Sequence, residues 1–222
     1  MARGRALTAD DDAREVGVGP WPGGPAAWPR LGAGPDAPLD PRYDAELLAH
    51  GDRRNVVDRY RYWTVEAVVA DLDTRRHAFH VAIENWVHDL NIGSVVRTAN
   101  AFLAAEVHVV GRRRWNRRGA MVTDRYQHLR HHRDVAALAA WAGEAGLPLI
   151  GLDNVPGSVP LEGYALPRAC VLLLGQEGAG LSQEAVAACD AVLHIRQFGS
   201  TRSINAGAAA AIAMHTWITQ HA

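Results

Sequence analysis

The apolar positions of this chain change period along its length, and the changes divide it into three stretches. Residues 1–41 show no period and hold seven of the eleven prolines together with seven glycines. Too little apolar surface is available there to offset the entropy of ordering, which predicts a flexible Gly/Pro-rich tail. Residues 42–77 shift to good helix formers, with Val57, Tyr60, Val65, Val68, Val69 and Leu72 in a loose helical stripe. One or two helices are expected there as an N-terminal extension. Across 78–222 short apolar runs alternate with longer stretches of helical or Ala-rich character. Strands are predicted at 79–83, 107–110, 147–152, 171–174 and 192–195, and helices at 92–103, 135–145, 181–188 and 203–220. Gly146 stops the second of these helices, and Ser182 and Ser203 are natural N-caps for the third and fourth. Strand–helix alternation predicts an α/β domain around a largely parallel sheet.

Charge adds one feature. The net charge of −1 argues against a wholly basic nucleic-acid wrapper, yet the basic residues are clustered. All 23 are arginine, and 112–133 holds eight of them with three histidines against one aspartate. Trp115 and Tyr126 are interleaved. Arginine binds phosphate bidentately and stacks on bases, and aromatic rings offer faces to unstacked nucleotides. The run is therefore expected to bind RNA through Arg112, Arg113, Arg114, Arg117, Arg118 and Arg125. His128, His131 and His132 are expected to face RNA or solvent; no H-E-x-x-H occurs, and no metal site is expected. Cys170 and Cys189 sit in apolar stretches without paired-ligand spacing and read as small buried hydrophobes. There is no apolar signal core, and no segment reaches the about 18 apolar residues of a membrane span, so a cytoplasmic address is expected.

Three strand-to-helix junctions could carry chemistry, because parallel α/β sheets place ligands at the carboxyl ends of their strands. In the first, 85–99, Asn91 opens a helix and Arg97 follows six residues later, about one and two-thirds turns on. The second runs Leu174-Gly175-Gln176-Glu177-Gly178-Ala179-Gly180-Leu181. Its glycines admit close backbone approach by a ligand, but their order is neither the dinucleotide G-x-G-x-x-G nor a Walker loop. Glu177 there suits a cationic ligand better than a phosphate. In the third, Ile195 leads through a loop to Ser203-Ile204-Asn205 and a helix of small residues that must pack closely against something. Each segment alone also admits a plainer reading: a solvated arginine, a tight turn, a capped buried helix.

Together the three resemble the SpoU (TrmH-like) branch of the SPOUT methyltransferases. N-x-G-x-x-x-R-T-A at 91–99, L-G-x-E-G-x-G-L at 174–181 and I-x(8)-I-N at 195–205 stand in that family's order. The resemblance covers 78–222 and leaves 1–41 and 42–77 outside. It implies a SPOUT-type parallel sheet with a C-terminal trefoil knot, a homodimer with the active site completed across the interface, and S-adenosyl-L-methionine as methyl donor, without metal. It further implies that Leu152, Asp153, Leu174, Gly175, Gly180, Ile195 and Ile204 bind the donor. Arg97 would be the catalytic arginine, with Asn91, Glu177, Ser203 and Asn205 completing the site. Arg196 stands where the family usually has Pro, and Ile204 where it usually has Leu.

The implied activity is transfer of a methyl group to a ribose 2'-hydroxyl of tRNA or rRNA, with tRNA slightly favoured because the basic run lies beside the core. A guanidinium keeps its proton at working pH, so Arg97 is expected to bind the adjacent phosphate and stabilise a developing alkoxide, with the proton passing to phosphate or water. Two competing readings are a non-catalytic RNA-binding protein of the same fold and a nucleotide-binding oxidoreductase using the 175–180 loop. Methylation of a base is a third possibility within the family.

Overall fold

The computed structural model describes residues 17–34, 36–86 and 91–222. The chain divides into two units, Met1–Asp71 and Leu72–Ala222. In the first unit, α1 (Ala45–His50) begins where the Asp44 side chain accepts from the backbone N–H groups of Glu46 and Leu47. A second helix, α2 (Val65–Asp73), runs across the division. Asp52 is fully buried and takes Arg54 Nη2 at 2.7 Å and the Tyr62 N–H at 2.9 Å. Burial alone would raise the Asp52 carboxyl, but Arg54 and the backbone donors outweigh it and hold the group below the usual carboxylate range. The stretch expected to be a flexible tail is tied into this unit from residue 17 onward. Val18 bridges Asp52, Arg30 bridges Leu39, and the Trp21 ring stands edge-on to Tyr43 and Tyr62. A few aromatic anchors and backbone bridges compensate here for the missing apolar period.

In the second unit seven strands form one sheet in the order β3-β2-β1-β6-β4-β7-β5, every pair parallel. Their ranges are β1 Phe79–Asn85, β2 Val107–Gly111, β3 Leu129–His132, β4 Leu149–Leu152, β5 Val159–Pro160, β6 Cys170–Leu174 and β7 Ala191–His194. The helices are α3 (Asn91–Ala101), α4 (Val135–Ala145), α5 (Gln183–Ala188) and α6 (Ala206–His221). Both faces are covered, so β6 is apolar and buried throughout. Phe79, Val81 and Ile83 of β1 share one core with Ile92 and Val96 of α3 and with Met214 and Trp217 of α6. Ala82 of the same strand points the other way, into a core with Leu138 of α4 and Ala185 of α5.

Several boundaries differ from the sequence expectation. The strands β3 and β5 were not expected; both lie at sheet edges, where pairing with a neighbour decides the matter more than local pattern does. The last helix starts at Ala206 with Asn205, not Ser203, as its cap, while Ser203 is exposed. Ser182 does cap α5, accepting from the Ala185 N–H, and Gly146 does end α4 in a left-handed conformation. Residues 87–90 of the first junction lie outside the described residues. Among the described residues no helix is long and apolar enough to cross a membrane.

Candidate active site

Chain order reverses between β1 and β6, which are neighbours in the sheet, so the loops leaving their carboxyl ends diverge and leave a crevice. The loops after β4, β6 and β7 meet beside it around a cavity of about 490 Å³, within the range of small-molecule sites. All seven residues expected to bind the donor line this cavity: Leu152, Asp153, Leu174, Gly175, Gly180, Ile195 and Ile204. So do Glu177, Ser203 and Asn205; Asn91 and Arg97 do not.

The glycine loop owes its shape to close backbone approach. A Cβ on Gly175 would stand 2.0 Å from the Gly180 carbonyl carbon, and one on Gly180 would stand 2.3 Å from Asp153 Oδ2. Gln176 and Gly180 exchange backbone hydrogen bonds, which folds the loop back on itself. Asp153 braces it from β4, accepting the Leu181 N–H at 2.7 Å on one oxygen and the Asn154 N–H at 2.7 Å on the other. Two acceptors in the cavity wall, Gln176 Oε1 and Gln197 Oε1, are buried without a partner among the described residues. Such atoms are costly unless a ligand or water supplies a donor.

A chain of side chains joins the three junctions. Asn205 Oδ1 accepts from the Gly207 and Ala208 N–H groups, and its Nδ2 donates to Asn91 Oδ1 at 2.9 Å. Asn91 Nδ2 in turn donates to Glu177 Oε2 at 2.7 Å. Asn91, at the start of α3, is buried, so its amide is held from both ends. Arg97 is exposed on α3, with no hydrogen-bond or ion-pair partner among the described residues.

The run 112–133 is partly exposed and partly buried. Arg112, Arg113, Arg114, Arg117, Arg118 and Arg125 are all exposed, and Arg117 pairs with Asp124 at 3.3 Å. Tyr126 is buried and Trp115 packs against the core, so neither presents an open aromatic platform. His132 is buried as well, contrary to the expectation of a solvent- or RNA-facing ring, because residues 129–132 form an edge strand under α4. The arginine loop is anchored next to the junctions. Fully buried Asn85, at the end of β1, donates to the carbonyls of Arg112 (2.7 Å) and Arg114 (2.9 Å). Farther on, Gly119 lies so close to α3 that a Cβ on Gly93 would meet it at 2.7 Å.

Two bracing residues were not singled out from sequence for this work, Glu84 and Asn85, nor was Gln197 of the cavity wall. Glu84 is fully buried and accepts from Trp86 Nε1 at 2.7 Å and from the Ser182 N–H at 2.8 Å, tying β1 to the start of α5. The available signal was a polar pair closing an otherwise apolar strand. Both cysteines are free; burial pushes each thiol up to about 12, and Cys189 is only half-buried.

Residues 78–215 match the SpoU rRNA Methylase family. An uncharacterized tRNA/rRNA methyltransferase of Mycolicibacterium vanbaalenii is 31% identical over 186 residues, 78% of this chain and 58% of its own. The tRNA (guanosine(18)-2'-O)-methyltransferase of Escherichia coli is 27% identical over 128 residues, 56% of each chain. Among solved structures, the SpoU methyltransferase AviRb of Streptomyces viridochromogenes in complex with AdoMet aligns with a TM-score of 0.59 at 25% identity, covering 68% of this chain and 60% of that one. The A. aeolicus TrmH/SpoU tRNA modifying enzyme shares the fold, with a TM-score of 0.62 at 19% identity over 70% and 81% of the two chains. The chain spans about half the length of the curated relatives it matches.

Proposed function

The chain belongs to the SpoU rRNA Methylase family, and on that premise we propose that it is an S-adenosylmethionine-dependent RNA methyltransferase acting on a ribose 2'-hydroxyl, with tRNA favoured over rRNA. One observation carries the reading: the cavity at the carboxyl ends of β4, β6 and β7 is lined by every residue assigned to the donor. The donor set suits that group. Gln176 and Gln197 offer acceptors, unpartnered among the described residues, to amino or ammonium donors, and the glycines at 175 and 180 let the loop fold tightly against itself and Asp153 at the cavity wall.

When bound, S-adenosylmethionine supplies an electrophilic methyl group on a cationic sulfonium. Glu177, fixed by Asn91, sets a carboxylate at the cavity wall that offsets this charge. Arg97, exposed on the adjoining helix, binds the phosphate next to the target ribose and stabilises the alkoxide as it forms. Asn205 and Ser203 orient the ribose, and the hydroxyl proton leaves to phosphate or water. This transfer calls on no metal. The exposed arginines after β2, held by Asn85, dock the RNA beside the site. We further propose the family's C-terminal trefoil knot, with 78–222 as the methyltransferase domain and 42–77 as a helical extension. A homodimer through α6, whose Ile212 is exposed, and a cytoplasmic location complete the proposal.

The test is incubation of the full chain with labelled S-adenosylmethionine and bulk RNA separated into tRNA and rRNA, followed by nuclease digestion and mass spectrometry. One new 2'-O-methylnucleotide is expected, in the tRNA pool. Arg97→Ala is expected to abolish turnover and leave donor binding unchanged. Donor binding with no incorporation in either pool would overturn the catalytic reading.

A further inference from the structure

Three histidines from three adjacent strands meet beneath α4, two of them, His80 and His108, near the amino-terminal ends of their strands and so away from the donor cavity. His80 is the second residue of β1 and His108 the second of β2, while His132 ends β3. Their rings form a row: His80 Nδ1 lies 3.0 Å from His108 Nε2, and His108 Nδ1 lies 2.9 Å from His132 Nε2. Trp141 of α4 covers the row, with its ring centroid 4.2 Å from that of His108. Glu106, just before β2, brings Oε2 to 3.8 Å from His108 Nε2.

In the tautomer in which His108 donates from Nδ1 to His132, His108 Nε2 is left as a lone pair aimed at His80 and Glu106. This is the outer-shell arrangement that fixes a metal-ligating imidazole: the distal N–H is engaged and the proximal nitrogen is free. Two donors each about 2.0–2.1 Å from a tetrahedral zinc ion stand about 3.3 Å apart. The separations of 3.0 and 3.8 Å bracket that value, and the nearest donor atoms of His80, Glu106 and His108 all lie within 4.8 Å of one another.

We propose that His80 Nδ1, His108 Nε2 and Glu106 bind one divalent zinc-class ion, with His132 as the outer-shell partner of His108. Two imidazoles and one carboxylate are a borderline donor set suited to zinc or cobalt rather than magnesium or calcium, with water in the fourth position. The role is structural: the ion would tie β1 to β2 and, through His132, to the edge strand β3. Arg130, whose Nε holds Glu106 Oε2 at 3.0 Å, aims the carboxylate but shares its charge, so removing the guanidinium should tighten the site.

The proposal is independent of the methyl-transfer reading, and its test reads metal directly. The full chain is stripped with a chelator, titrated with Co²⁺ under visible ligand-field absorption, then dialysed against Zn²⁺ and assayed for metal per chain. One equivalent of Co²⁺, displaced by one of Zn²⁺, is expected, with a Zn²⁺-dependent rise in thermal midpoint. His80→Ala and Glu106→Gln sit at the more accessible edge of the cluster. Each should abolish stoichiometric binding while leaving the midpoint of the metal-free protein and its S-adenosylmethionine affinity within error of the parent chain. Arg130→Gln should bind Co²⁺ more tightly. Substoichiometric metal in the parent chain, or equal binding by His80→Ala, would show that the row is only a hydrogen-bonded imidazole ladder and overturn the proposal.

Discussion

Asn205→Ala removes two interactions at the point where the three junctions are joined. Its Oδ1 caps α6 through the Gly207 N–H at 2.9 Å and the Ala208 N–H at 3.2 Å, and loss of such a cap costs about 1 kcal/mol. Its Nδ2 donates to Asn91 Oδ1 at 2.9 Å, a neutral hydrogen bond contributing about 1 kcal/mol net. Asn91 is only 8% exposed, so water replaces that donor poorly. The sum is about 2 kcal/mol, and for a chain of 222 residues it corresponds to a fall of about 4–8 °C in Tm. Asn205→Asp keeps the cap oxygen and places a negative charge at the helix N-terminus, where it is favourable, so it should lose only the Nδ2 contribution, about 1 kcal/mol. Urea and thermal unfolding measure the stability, and calorimetric titration with S-adenosylmethionine measures the cavity. Asn205→Ala should bind the donor more weakly than Asn205→Asp does. A double-mutant cycle with Asn91→Ala should return a coupling of about 0.5–1.5 kcal/mol. If Asn205→Ala stays within about 0.5 kcal/mol of the parent chain, or the coupling vanishes, the asparagine chain does not hold the junctions together and the reasoning fails.

Gly175→Ala puts a Cβ 2.0 Å from one backbone atom and 2.2 Å from another, so the loop must open. Donor affinity should fall by at least about tenfold, or about 1.4 kcal/mol, with an unchanged circular dichroism spectrum; unchanged affinity would remove the loop from the donor site. Reversal of charge at exposed Arg113 and Arg114 should weaken RNA binding and flatten its dependence on salt, read as the slope of log K against log salt. An unaltered slope would place the RNA elsewhere. The Asp52 carboxyl is held below its ordinary value in the folded state, so its stabilisation is present at neutral pH and is lost as pH falls below about 4. Denaturant midpoints should therefore drop more steeply between about pH 5 and 3 in the parent chain than in Asp52→Asn; parallel curves would contradict the assigned burial.

What could be read from the chain beforehand follows the range of the forces involved. The junctions are local signals, an apolar strand leading through glycine or asparagine to a helix, and α3 and α5 begin within two residues of where their patterns put them. The parallel sheet follows from the alternation of those strands with helices. By contrast, the choice between Ser203 and Asn205 as cap of α6 is not local, because both residue types cap well. It is decided by Asn91, 114 positions away, which holds the Asn205 amide at 2.9 Å and so fixes where the helix begins. The same holds for 129–132, where four residues inside an arginine-rich run look like solvated surface until His132 finds His108 across the sheet.

The bracing residues show why a motif is a partial description of a site. Glu84, Asn85 and Asp153 sit at the ends of β1 and β4, and their polar atoms go to backbone groups of other loops. A carboxylate that accepts a helix-terminal N–H, or an amide that clamps two carbonyls, needs no sequence partner, since every loop offers backbone groups. Such residues therefore carry little signal in a pattern of side chains, although each of the motif loops they hold would lose its shape without them. Gly175 and Gly180 can lie against the rest of the loop only because Asp153 receives the Leu181 N–H that their close approach would otherwise bury unsatisfied. The glycines make the approach possible, and the aspartate makes it stable.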